Sequence, residues 1–211
     1  MKGNGERGAN ALAMRRLPPL AQESLNRLLA GNERMRAGEA LAVPHQTRRA
    51  ELAHGQQPFA AVLACIDSRV VPEIVFHQPV GAILASRVPG STLEDAALAT
   101  FEFAISSLGV PLVFVLGHTS CAAMRLAIEF MRDGAKPPGQ MLRSARALAV
   151  PAKRAYHLDG DWVDNAAAEN VRLVIASLPR RSRTIRQALK RNDLGLAGGV
   201  YDLRSGDVRL V

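Results

Sequence analysis

Two short stretches of this chain collect residue types that bind metals and move protons. One is Cys65-Ile66-Asp67-Ser68-Arg69 and the other is Gly117-His118-Thr119-Ser120-Cys121. Cys65, His118 and Cys121 offer two thiolates and one imidazole, the soft and borderline donors that zinc favours. Three protein ligands leave one tetrahedral position for water, which marks a catalytic rather than a structural zinc site. The His-x-x-Cys spacing at a turn lets both side chains face one point. Asp67 and Arg69 alternate with Cys65, and on extended backbone all three project to the same side. An arginine in that place holds a carboxylate ionised and oriented through charge-assisted hydrogen bonds. Such a carboxylate can accept a proton from water at the open metal position, or take that position itself.

Each part alone is a weak signal. A free cysteine is often only a buried small hydrophobe, and an isolated Asp-x-Arg pair is usually a surface ion pair. His45, His54, His77 and His157 receive no role. The joint placement of the two stretches decides the matter. Each follows an apolar run of strand length, Phe59–Ala64 and Leu112–Leu116. Both therefore sit at the carboxyl ends of predicted parallel strands, where open α/β sheets place their ligands.

The positioning elements are legible around them. Strands are predicted at Phe59–Cys65, Ala82–Ser86 and Leu112–Leu116. Helical spacing runs over Leu20–Ala37, with Gly38 as its stop, and over Leu93–Leu108, ended by Gly109 and Pro111. A further helix covers Ser120–Met131, with Ser120 as candidate cap. Pro44–Gln57 reads as a connection with a short helix. Gln140–Lys190 reads as helical, with Val163–Leu178 the clearest segment and Pro151 and Pro179 as the neighbouring breaks. Leu196–Leu203 and Val208–Val211 flank Ser205-Gly206-Asp207 as a hairpin. The fold class expected is α/β: a mostly parallel central sheet flanked by helices, with an N-terminal helical arm and a C-terminal helical region plus edge strands. Residues 1–17 are expected to be a flexible tail and residues 18–211 a single domain.

Composition narrows the function classes. The 211 residues are 48% hydrophobic and 22% charged, as in ordinary globular domains. No apolar run approaches the ~18 residues of a membrane span. The first seventeen residues hold no apolar signal core, so a cytoplasmic location is expected. Two cysteines are too few for a disulfide framework. The net charge of +8 concentrates in Arg143–Arg154 and in Arg180–Arg191. With few aromatics and no reader motif, these clusters read as solvated helical faces, and no specific nucleic-acid partner is expected.

The chain resembles the β-class carbonic anhydrases. The resemblance rests on Cys65-Ile-Asp67-Ser68-Arg69-Val70 and Leu116-Gly117-His118-Thr-Ser-Cys121. Gly55-Gln56-Gln57-Pro58, Glu73-Ile-Val-Phe76 and Leu108-Gly109-Val110 support it. It covers Leu20 to Arg132 well and the C-terminal third more loosely. It implies one zinc ion per chain on Cys65, His118 and Cys121, with Asp67 and Arg69 as the catalytic dyad. It also implies a substrate-binding role for Gln56, and a homodimer or tetramer with an N-terminal helix embracing the partner. The implied activity is reversible hydration of carbon dioxide to bicarbonate by zinc-bound hydroxide. Two thiolates cancel the charge of the zinc, so activity is expected to rise above pH 7. The chain departs from the family pattern at Arg87-Val88-Pro89-Gly90-Ser91, usually Arg-Asn-x-Gly/Ala-Asn, at Ala82, usually acidic, and at Ala122, usually glycine. Two rival readings stand beside this one. The first is a hydrolase of carbon disulfide or carbonyl sulfide on the same scaffold. The second is a non-catalytic, basic, zinc-stabilised binding protein, for which Asp67 and Arg69 would be superfluous.

Overall fold

The two motifs end neighbouring strands of one sheet. The computed structural model describes residues 17–40 and 45–211. The expected tail, apart from Leu17, and the start of the Pro44–Gln57 connection lie outside them. Four strands run parallel: β1 (Ala60–Cys65), β2 (Ile83–Val88), β3 (Leu112–His118) and β4 (Gly195–Tyr201). β5 (Val208–Leu210) returns antiparallel to β4, giving the order β2-β1-β3-β4-β5. Every residue of β1 and β3 is buried. Central parallel strands are covered on both faces, so they read in sequence as unbroken apolar runs rather than as alternation.

Alternation reappears in what each side chain touches. Ala61, Leu63, Val113 and Val115 pack beneath α4 (Asp95–Leu108), α7 (Trp162–Arg181) and α8 (Arg183–Lys190). Ala60, Val62, Phe114 and Leu116 face α1 (Pro19–Arg36) on the other side, where Phe76 meets Phe114 edge to face at 5.4 Å. Leu17 packs with that second layer. Buried Asn32 ties α1 down: its Nδ2 donates to the carbonyls of Val75 and Gly206, and its Oδ1 accepts from the Val208 N–H. α7 lies close on the sheet because β4 carries Gly198, where a Cβ would stand 2.5 Å from Val171 Cγ1 and 2.8 Å from the Val115 carbonyl oxygen.

The remaining helices are α2 (His45–Leu52), the short α3 (Pro72–Val75), α5 (Ala122–Asp133) and α6 (Met141–Ala155), with a 3₁₀ turn at Pro89–Ser91. Met124, Ile128, Ala145, Leu148 and Ala166 form a third apolar cluster from α5, α6 and α7, and Cys65 and Cys121 belong to it. The hairpin forms as expected, with Asp202 Oδ1 accepting from the Arg204 and Ser205 N–H groups and Gly206 at φ 75. The basic clusters fall on α6–α8, and Arg143, Arg180, Arg183, Arg186 and Lys190 are solvent-exposed or partly so.

Three local expectations are corrected. Pro151 and Pro179 do not break helices; they lie inside α6 and α7. A mid-helix proline forfeits one backbone bond. Pro151 is itself buried in α6, and the carbonyl it strips of a partner belongs to exposed Ala147. Pro179 falls in the last turn of α7, and the break comes at Ser182, whose Oγ accepts from the Ile185 N–H and caps α8. Ser120 does not cap α5: it sits at φ 55, and Cys121 occupies the cap position. No helix among the described residues is long and apolar enough to cross a membrane.

Candidate metal centre

Register explains how residues far apart in sequence meet. β1 pairs with β3 through Ala61–Val113, Val62–Phe114 and Leu63–Val115, so Cys65 and His118 end adjacent strands at the same carboxyl edge of the sheet. The chain leaves β1 towards β2 and β3 towards β4, in opposite directions. The gap between these ends is the switch point at which open α/β sheets hold ligands. Thr119 and Ser120 then turn the chain so that Cys121 starts α5. Cys65 Sγ, the His118 ring nitrogen and Cys121 Sγ lie within 4.8 Å of one another, all three residues buried.

The donor set fits a zinc ion. His118 Nδ1 lies 2.9 Å from the Thr119 carbonyl oxygen, which can only accept, so Nδ1 carries the proton and Nε2 presents its lone pair. That Nε2 is buried and has no hydrogen-bond partner among the described residues. A buried imidazole nitrogen facing two thiols is left without a partner unless a metal takes its lone pair. The close approach of Cys121 above all draws the Cys65 thiol down from its ordinary range. His118 and the Asp67 and Gly90 N–H groups act in the same direction, against the opposing effect of burial. The same contact, with burial, pushes Cys121 up. A coordinated cation would remove the shared proton, since thiols bind zinc as thiolates.

Asp67 and Arg69 do meet, but not on extended backbone. β1 stops at Cys65, and the Val70 N–H donates to the Asp67 carbonyl at 2.9 Å, which makes residues 67–70 a tight turn. Asp67 Oδ1 accepts from the Arg69 N–H at 3.0 Å and from Nε at 2.9 Å, while Oδ2 accepts from Nη2 at 2.7 Å. Aspartate folds readily onto the N–H two residues ahead, and here the guanidinium closes the same ring from outside. These bonds, the side-chain ones first, hold the Asp67 carboxyl well below the usual carboxylate range. The Asp67 side chain is 14% exposed and that of Arg69 57% exposed. Gln56 lies elsewhere, on the exposed stretch between α2 and β1, with no hydrogen bond to the cluster.

Several residues that hold the cluster escape motif reading. Arg87, at the end of edge strand β2, donates to the carbonyls of Cys65, Ile66 and Asp67 and so fixes the path of the first motif. The Gly90 N–H lies 3.3 Å from Cys65 Sγ. From α7, Asp164 Oδ1 accepts from the Ser120 N–H at 2.7 Å, steadying that left-handed residue. Asn170 reaches the carbonyls of Gly90 and Ser91. Arg87 and Gly90 stand inside the departing stretch Arg87–Ser91, which was a signal; Asp164 and Asn170 gave none. Ala122, the departure next to Cys121, is solvent-exposed in the single chain. Two concavities elsewhere, one beside Leu17 and Leu194 and one at the start of α4, include none of the three cluster residues.

A parallel α/β sheet with a Cys-His-Cys cluster at its switch point and a carboxylate–arginine pair beside it defines a metalloenzyme scaffold. Residues 60–208 match the sequence model of the carbonic anhydrase family. "Carbonic anhydrase 2" of Mycobacterium tuberculosis is 36% identical over 184 residues, covering 85% of this chain and 87% of that protein. The carbonic anhydrase of Mycolicibacterium smegmatis is 36% identical over 183 residues, covering 85% and 88%. The solved β-carbonic anhydrase CcaA superposes with a TM-score of 0.69 at 27% identity, covering 88% of this chain and 94% of that one. The tetrameric β-carbonic anhydrases of Sordaria macrospora share the fold, with a TM-score of 0.70 at 21% identity over 90% and 94% of the two chains. The chain belongs to the β-carbonic anhydrase family.

Proposed function

We propose that this protein catalyses the reversible hydration of carbon dioxide to bicarbonate with one zinc ion per chain. The observation that carries this reading is the buried, unpartnered His118 Nε2 facing two thiols, next to a carboxylate locked by arginine. Cys65, His118 and Cys121 would hold the metal. When bound, zinc supplies the Lewis acidity that makes a water molecule nucleophilic near neutral pH.

The chain's own residues do the rest. Asp67, ionised at any working pH, accepts a hydrogen bond from the attacking water and aims its oxygen at the carbon of the substrate. Arg69 keeps that carboxylate in one orientation and off the metal, because both Asp67 oxygens are already engaged by its guanidinium. Arg87 holds the turn in place through backbone carbonyls. The apolar floor of Met124, Leu148 and Ala166 limits water to the open side of the site.

In this reading residues 18–211 act as one domain, and the protein works as a homodimer or tetramer. Gln56, exposed in the single chain, would bind substrate in a pocket completed at the subunit boundary. A reducing cytoplasm suits a site that depends on two cysteine thiols. Stopped-flow carbon dioxide hydration in mildly alkaline buffer, on protein of measured zinc content, tests the reading. Zinc near one per chain with rapid turnover is expected. Full zinc without turnover would refute the activity, and carbonyl sulfide would then be the next substrate assayed.

A further inference from the structure

We infer that Asn170, on α7, is a positioning residue for the metal centre: it sets the 3₁₀ turn that aims the Gly90 N–H at Cys65 Sγ. The turn has an unusual backbone. Gly90 has φ 63 and Ser91 φ 54, two successive left-handed residues, the second of them not glycine. Such conformations persist only where surrounding contacts over-determine them. Three contacts do so. Asn170 Nδ2 donates to the Gly90 carbonyl at 3.0 Å and lies 3.4 Å from that of Ser91. Ser91 Oγ donates to the Leu116 carbonyl at 2.8 Å, two residues before His118 in β3. On the remaining side, Leu148 and Ala123 pack against Gly90 so closely that a Cβ there would stand 2.5 Å from Leu148 Cδ1.

The outcome of this scaffolding is one hydrogen bond, from the Gly90 N–H to Cys65 Sγ at 3.3 Å. Pro89 has no N–H to offer, so Gly90 is the first donor after β2. Hydrogen bonds to a ligating thiolate tune both its basicity and the affinity of its metal. Asn170 itself is 6% exposed and carries no charge, and its donors are spent on backbone carbonyls of the turn rather than on its own helix. A buried amide held for stability alone has no need to converge on a turn that faces a metal ligand. The C-terminal helical region thereby takes part in the site, although none of its residues belongs to the motifs of the N-terminal half.

The inference rests on the zinc reading above, and two measurements separate their failures. Wild-type protein that takes up no zinc would sink the zinc reading. Wild-type protein that binds zinc while Asn170 variants bind it equally well would sink only this inference. The variants are Asn170→Ala, which deletes the donors, and Asn170→Asp, which keeps the volume but turns acceptors towards two carbonyls. Val171→Ala, a core truncation on the same helix, serves as the control for general loosening. Zinc affinity is measured by chelator competition, and the Gly90 amide is followed by proton exchange and by its NMR resonance. A cobalt-substituted sample reports the thiolate-to-metal absorption band.

Both Asn170 variants are expected to lose about tenfold in zinc affinity, to exchange the Gly90 proton faster and to shift the cobalt–thiolate band. Val171→Ala, at a comparable drop in thermal midpoint, should leave the band in place. An unmoved Gly90 resonance and band in the Asn170 variants, or shifts no larger than those of Val171→Ala, would overturn the inference. So would failure of both Asn170 variants to fold, which would make Asn170 a residue of the fold alone.

Discussion

Asp67→Asn separates holding the metal from using it. The carboxylate accepts three hydrogen bonds from Arg69, one from the backbone N–H and two from the guanidinium. An amide keeps one acceptor oxygen and turns an NH₂ group either towards the guanidinium or towards the attacking water. In either orientation it no longer both anchors to Arg69 and accepts from the water. Loss of a positioned proton acceptor lowers turnover by about 10²–10⁴-fold. Stability should fall modestly: the mostly buried carboxylate loses charge-assisted bonds, but its partner Arg69 is on the surface and the amide oxygen keeps one acceptor.

The pH behaviour follows from the depressed Asp67 carboxyl. A carboxyl lowered on folding contributes stability that is present above its unfolded value, near 3.9, and lost as pH falls through the folded one. Between about pH 6 and 9 Asp67 is therefore fully ionised, and the wild-type to variant turnover ratio should be flat. The assay is stopped-flow hydration across that range, with zinc quantified on the same samples. Full zinc with less than a tenfold loss of turnover would remove Asp67 from the reaction. A ratio that collapses on the acid side would show that Asp67 titrates in the working range, against the geometry.

Other expectations concern the metal and the frame. Cys121→Ser should drop zinc content well below one per chain, and its thermal midpoint should no longer respond to a chelator, because one thiolate and its link to folding are gone. Asn32→Ala strands the Val75 and Gly206 carbonyls and the Val208 N–H. It should cost about 2–3 kcal/mol, or about 5–10 °C in midpoint, with turnover per folded molecule unchanged; a smaller shift would show that water replaces the amide. Gly198→Ala forces a methyl against Val171 and the Val115 carbonyl and should destabilise by about 1–3 kcal/mol in denaturant titration. A neutral result would mean that α7 can lift off β4.

The linear sequence was enough to single out the Cys-His-Cys donor set, the Asp67–Arg69 pair and the strand ends that carry them. Those features are local: a Cys-x-Asp-x-Arg run and a His-x-x-Cys run each directly follow a buried apolar strand, and residue type with short spacing specifies their chemistry. It was also enough for the sheet class, because β1 and β3 are central and, His118 apart, their residues are apolar. Helix ends were less legible, since burial of Pro151 in α6 and the late position of Pro179 in α7 override proline's intrinsic preference. The manner in which Asp67 meets Arg69 also needed three dimensions: alternation suggested an extended strand, whereas side-chain to backbone bonds make a turn. Long-range support was out of reach of any spacing argument. Asp164 and Asn170 act on the motifs from a helix far along the chain, and only the packing of α7 on glycine-thinned β4 brings them there. Local chemistry is written in neighbouring residues, while the orientation of that chemistry depends on contacts that exist only once the sheet and its helices have closed around it.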